Sequence, residues 1–278
     1  MAPIDDTADD TGFRERYGPW ALVCGASEGV GAAVADELAQ RGVHVVLVAR
    51  NAALLEEVAS RLGEQHGVST RTIAVDLSLP GAGTAVADLT SDLEVGLVVH
   101  NAGAANRTGP FLDEPLPTSS ALVALNCTTP LELAHHFLPP MRDRRRGGLV
   151  LVSSMACLVG SGGVAVYSAA KIFAVHLAEG LWAELRDAGV DVCAAVLGSV
   201  HTPAAERSGR TFDPERDMTS TDVAAELVAS IDNGPTHVVG EHNRALAAGL
   251  WTVDRRVAVE LLTAATDEFS QRERSSSD

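Results

Sequence analysis

The sequence predicts a doubly wound α/β fold, a parallel sheet of about seven strands covered by helices on both faces. Three observations predict it. Short apolar runs alternate with longer helical patterns. Most of those runs lack an apolar–polar alternation, which is how strands buried on both faces read. The apolar residues are mainly Val, Leu and Ala, with aromatics only 4% of the chain, a mix suited to parallel strands under Ala-rich helices.

The strand candidates are residues 21–24, 43–49, 72–75, 95–100, 148–152, 190–196 and 237–239. Each is bounded by Gly, Pro, Asp or Asn. Between them lie helical patterns such as 31–41, 52–65, 130–142, 167–186 and 221–231. Repeated strand–helix–strand units require right-handed crossovers. No repeat, linker or break in composition marks a second domain. The reading is one domain over 17–270, an acidic disordered tail at 1–16 and a frayed end at 271–278.

The formal charge of −16, from 21 basic and 37 acidic side chains, repels phosphate backbones and anionic membranes. No nucleic-acid partner is expected. Arg142, Arg144, Arg145 and Arg146 read as a solvated helix end whose cations complement the helix dipole. Cys24, Cys127, Cys157 and Cys193 are far apart and read as buried free thiols, with neither metal nor redox work implied. The N-terminus carries Asp5, Asp6, Asp9 and Asp10 and lacks the basic and apolar regions of a signal peptide. Without a membrane-spanning run as well, a cytoplasmic location is expected.

After the first strand come Gly25, Ser27, Gly29, Val30 and Gly31, opening a helix. Three glycines let the backbone turn tightly and approach a pyrophosphate, while the helix end offers free N–H groups. At the end of the second strand, where a reader of NAD places a carboxylate, stand Ala49 and Arg50. The guanidinium suits a 2′-phosphate, so NADP(H) is favoured and NAD(H) is the alternative. Further on, Tyr167 and Lys171 sit one helical turn apart on one face. An ammonium there is expected to pull the tyrosine pKa down from near 10 toward the working range. Ser154, thirteen residues before Tyr167, ends the fifth strand, where ligands bind in open sheets, and its hydroxyl suits a substrate oxygen.

The spacing of glycines 25, 29 and 31, together with Ser154, Tyr167 and Lys171, resembles the short-chain dehydrogenase/reductase family. Its likeness extends over 17–239 and is nearest to the branch of very-long-chain 3-oxoacyl-CoA reductases and 17β-hydroxysteroid dehydrogenases. The resemblance implies a Rossmann-like fold in which Lys171 holds the nicotinamide ribose. It implies that Asn126 organises a proton-relaying water, although alone that residue reads as a helix cap. It assigns Asp76 to the adenine, although a bare Asp equally reads as an N-cap. Asn101 and Gly103 match the family's Asn-Ala-Gly turn, and Val200 and Thr202 fall in the segment that contacts the carboxamide. Three positions depart from the pattern. Cys24 replaces a Thr, Leu197 a Pro, and His100 an Asn, and a lone histidine at a strand end reads as structural. Glu28 stands where NADP-preferring relatives often carry a basic residue.

The expected activity is NADP(H)-dependent reduction of a bulky apolar ketone, or oxidation of the secondary alcohol. Met155, Ala156, Leu158 and Val159 past Ser154, Ala104 and Ala105, and a lid over 204–220 with Phe212 and Met218, are read as an apolar substrate wall. Arg207, Arg210 and Arg216 on that lid are read as solvated charges, or as partners for the phosphates of a CoA thioester. An NAD-dependent alcohol dehydrogenase and a dinucleotide-sensing regulator without turnover are the alternatives. Relatives dimerise through the helices at 130–142 and 167–186. With Leu131, Leu133, Ala134, Phe137 and Leu138 on the first, a homodimer or homotetramer is expected.

Overall fold

The computed structural model describes residues 6–103, 109–207, 211–250 and 252–275. Helix α1 (Asp6–Tyr17) precedes β1 (Trp20–Cys24), α2 (Gly29–Gln40), β2 (His44–Ala49), α3 (Ala52–His66), β3 (Thr70–Ala74) and α4 (Ala82–Asp88). Next come β4 (Val95–His100), α5 (Leu116–Val123), a π-helical turn (Ala124–Thr128) and α6 (Thr129–Arg144). Strand β5 (Gly148–Ser154), α7 (Ala165–Leu185) and β6 (Asp191–Leu197) follow. A short parallel pair, β7 (Ser199–His201) and β8 (Asp217–Thr219), brackets α8 (Pro203–Arg207). Then come α9 (Ser220–Ala229), β9 (Thr236–Val238), α10 (Glu241–Leu250) and α11 (Arg255–Ser275).

Seven strands form one parallel sheet in the order β3-β2-β1-β4-β5-β6-β9. Both faces are buried, which is why the strands read as unbroken apolar runs. Ala21 and Val23 of β1 face a core with α2, α3 and α9, while Leu22 and Cys24 face the core under α4, α6 and α7. The strand order reverses between β1 and β4, so the crevice for a ligand opens at their carboxyl ends. No helix among the described residues is long and apolar enough to cross a membrane.

Several expectations change. The supposed tail is helical from residue 6 and anchored to β6: Arg16 and Tyr17 both donate to the Asp191 carboxylate, at 2.6 and 2.7 Å. The frayed C-terminal end is helical to Ser275 as part of α11. The arginine run is more than a solvated helix end. Arg144, Arg145 and Arg146 donate to the carbonyls of Val95, Asp187 and Glu15, strapping neighbouring turns to the base of the sheet. On α6, Leu133, Ala134, Phe137 and Leu138 are buried in the chain's own core, and only Leu131 of that set is exposed. Exposed apolar surface lies instead at Phe111, Leu112, Leu116 and Val123, on and before α5.

Candidate active site

The glycine turn is built by close packing. Gly25 has φ +81°, and a Cβ there would lie 2.9 Å from the Ala102 backbone. A Cβ on Gly31 would strike the Gly25 carbonyl oxygen and come 2.7 Å from Asn101 Nδ2. Asn101 Nδ2 donates to that same carbonyl at 3.2 Å, so Asn101 braces the turn. Gly29 lies against the Thr202 side chain. Val30 is buried in the core, leaving its backbone N–H as what it can offer a ligand. Glu28 caps α2 without a side-chain cap bond, so the N–H groups of the first turn are open to an anion.

Arg50 is exposed directly after β2 and, among the described residues, makes no hydrogen bond or ion pair. Asp76 sits after β3 and accepts from Ser78 N and Oγ at 2.9 and 2.7 Å. These bonds, and then the Arg50 charge, hold its carboxyl below the usual range. Gly81, not Asp76, caps α4. Arg50 and Asp76 therefore share one corner at the ends of β2 and β3.

At the end of β5, Ser154 accepts from Ala156 N at 3.2 Å and opens the turn carrying Met155. Tyr167 stands on the first turn of α7, with Lys171 Nζ 5.5 Å from its ring centroid. Lys171 is only 3% exposed and donates to Val152 O at 3.1 Å. Burial lowers its pKa to about 8. Against the expected fall, burial raises the tyrosine pKa, and the influence of Ser154 draws it back only in part. Asn126 is buried in the π-helical turn, with Nδ2 donating to Leu122 O at 2.9 Å. A Cβ on Gly103 would strike Asn126 Oδ1 and lie 2.7 Å from Lys171 Nζ, so these two groups converge where Gly103 leaves room.

The surroundings are partly as expected. Met155 packs against the sheet core beside Ser154. Phe212 is half exposed, with its ring edge-on to His201 at 5.2 Å. Met218 lies in β8 against the α2/α9 core and not over the site. Arg207 is solvent-exposed, as expected, and there forms a two-pronged ion pair with Glu28, at 2.8 and 2.5 Å. Arg216 pairs with Asp213 at 3.8 Å. Ala104, Ala105 and Arg210 lie outside the described residues.

Sequence reasoning missed two features. A cavity beside Tyr167 is lined by Phe111, Leu122 and Val164 but also by Glu114, Thr118 and Ser119, polar groups absent from the expected apolar wall. Helix α11 covers the segment after Ser154: Arg255 donates to Leu158 O, and Ser161 and Gly162 bond to Leu262 and Thr263. Its signal was present in Asp254, which caps Arg256 and Val257, followed by apolar residues at helical spacing.

Comparison with known proteins places this arrangement. The family model described as short chain dehydrogenase matches residues 19–212. A 7beta-hydroxysteroid dehydrogenase of Collinsella aerofaciens is 34% identical over 192 residues, 69% of this chain and 73% of the relative. A very-long-chain 3-oxoacyl-CoA reductase of Laccaria bicolor is 35% identical over 65% of this chain and 54% of its own length. The solved short-chain dehydrogenase from Sphingobium yanoikuyae in complex with NADPH superposes with a TM-score of 0.75 at 29% identity, covering 84% of this chain and 92% of that one.

Proposed function

The chain belongs to the short-chain dehydrogenase family and is an oxidoreductase acting on CH–OH groups, and from that premise we propose that it is an NADP(H)-dependent reductase of a bulky apolar ketone, or the dehydrogenase of the matching secondary alcohol. The observation that carries this is the meeting of Ser154, Tyr167 and Lys171 at the carboxyl end of β5 and the head of α7, beside the glycine turn. The dinucleotide fits the crevice: the turn has no room for a Cβ at Gly25 or Gly31, and the α2 N–H groups are open. Bound there, it supplies or accepts the hydride. Arg50 is free to read a 2′-phosphate, and Arg207 neutralises the Glu28 carboxylate that would otherwise repel it. The Sphingobium relative, solved with NADPH, supports the same preference.

In reduction, Tyr167 gives its proton to the carbonyl oxygen while Ser154 Oγ holds that oxygen. Burial keeps Tyr167 protonated at neutral pH, which suits it to act as the acid. Lys171, with its pKa about 8, holds its proton loosely enough to exchange it with a water that Asn126 would organise. The mixed lining of the neighbouring cavity suits an apolar body bearing a hydroxyl. A steroid fits that description, and the 7beta-hydroxysteroid dehydrogenase relative points the same way. A homodimer or homotetramer belongs to the same reading, its support now being the exposed Phe111 before α5 and Leu116 and Val123 on it. So does a cytoplasmic location, supported by four free thiols.

The test of substrate class is a ratio of kcat/KM for a steroid ketone, a long-chain 3-oxoacyl thioester and a small hydroxyketone. Each unpaired hydroxyl buried costs roughly 1–3 kcal/mol, so the small polar compound is expected to be about tenfold or more the poorest. Its winning by that margin would overturn the bulky-substrate assignment and leave the hydride chemistry standing.

A further inference from the structure

His100 ends β4 and is 4% exposed, among the most buried polar side chains of the fold. Its Nε2 lies 3.0 Å from the Leu125 carbonyl oxygen. A carbonyl only accepts, so Nε2 carries the hydrogen and Nδ1 is the bare nitrogen. That Nδ1 is buried and has no hydrogen-bond partner among the described residues. Leaving a ring nitrogen unsatisfied is costly. The residue is therefore held in place at a cost, with Leu125 as the ring's hydrogen-bond partner.

Leu125 is no ordinary helical residue. It lies in the π-helical turn Ala124–Thr128, where the ladder slips by one step and the Thr129 N–H reaches back to Ala124 O. A slip of this kind takes a carbonyl out of the regular ladder and needs another donor to satisfy it. His100 is that donor. The next residue is Asn126, whose amide nitrogen is engaged by Leu122 O. That leaves its Oδ1 turned to the space at Gly103, which Lys171 Nζ also enters. The order of contact is thus His100, Leu125, Asn126, then the space shared with Lys171.

We propose that His100 is a positioning residue: by holding the Leu125 carbonyl it fixes the π-helical turn, and so fixes Asn126 Oδ1 against Lys171. The inference rests on the proposed function, in which Asn126 and Lys171 carry the proton path. Burial keeps the imidazole neutral, with its pKa lowered to about 4 and the Lys171 charge acting in the same direction. The ring therefore stays a single-hydrogen donor throughout the working range. An amide of similar reach in its place would keep the bond, and an alkyl chain would not.

The test measures kcat, KM and cofactor affinity in His100→Leu, His100→Gln, Asn126→Ala, Lys171→Ala and the pair His100→Leu with Asn126→Ala. Misplacing a proton-relay group is worth up to about a hundredfold, so His100→Leu is expected to lower kcat at least about tenfold, with KM and cofactor affinity held within about twofold. His100→Gln, which still offers an N–H, is expected to recover to within about threefold of the parent. In the Asn126→Ala background, His100→Leu is expected to cost less than about twofold more, because both act through one group. If His100→Leu does not accumulate as folded protein, His100→Phe carries the same expectation. Losses that multiply in the double variant, or an unchanged kcat in His100→Leu beside impaired Asn126→Ala and Lys171→Ala, would overturn the positioning role alone. Full turnover in Lys171→Ala would instead overturn the proposed function beneath it.

Discussion

Tyr167→Phe is expected to reduce turnover at least about a hundredfold while cofactor affinity stays within about twofold, because only the proton donor is removed. The ring keeps its place on the first turn of α7 and its packing beneath the Lys171 ammonium. What disappears is the hydroxyl, which lies under the influence of Ser154 and would donate to the substrate oxygen. Turnover and dinucleotide titration together check the result. Residual activity above about 10% of the parent would contradict the acid role, since general acid catalysis supplies at least about a hundredfold.

Arg50→Ala is expected to weaken NADPH about ten- to a hundredfold and to leave NADH nearly unchanged, since a charge-assisted contact is worth roughly 1.5–3 kcal/mol. The guanidinium has no protein partner to release among the described residues, so the substitution costs the fold little. Its electrostatic neighbour Asp76 is held down first by Ser78 and only last by Arg50, and that corner should survive. Arg50→Lys should recover part of the affinity, because a point charge replaces the fork. Binding of both cofactors by calorimetry decides it. Equal weakening of the two would remove the phosphate-reading role, and the NAD-dependent alternative would take its place.

What the sequence revealed and what it hid follow one physical division. Local patterns were legible. Strands buried on both faces wrote themselves as the runs around Leu22, Val46 and Val98, and the sheet has all seven of them. The glycine turn and the Tyr167–Lys171 spacing are also local, and their placement at the crevice follows from strand ends and one helical turn. Features made by distant residues were not legible. Anchoring of α1 depends on Arg16 and Tyr17 meeting Asp191, which no nearby sequence announces. The pairing of Glu28 with Arg207 joins positions 179 residues apart. Phe137 looked like surplus apolar surface because a helical pattern does not say how much of its stripe its own sheet covers. The pKa of Tyr167 was misjudged for the same reason: spacing places Lys171 nearby, but depth of burial decides which effect wins.

The most direct test of the central claim is the transfer of label from NADPH to a ketone. The protein is incubated with a steroid ketone and NADPH deuterated at the transferable position of the nicotinamide, and the alcohol is analysed by mass spectrometry and NMR. The account predicts one deuterium on the carbinol carbon per cofactor oxidised, lost when Tyr167 is replaced by Phe. Saturable binding of NADPH with no label in the product of any ketone tried would contradict it, and would mark a protein that senses the dinucleotide without turning it over.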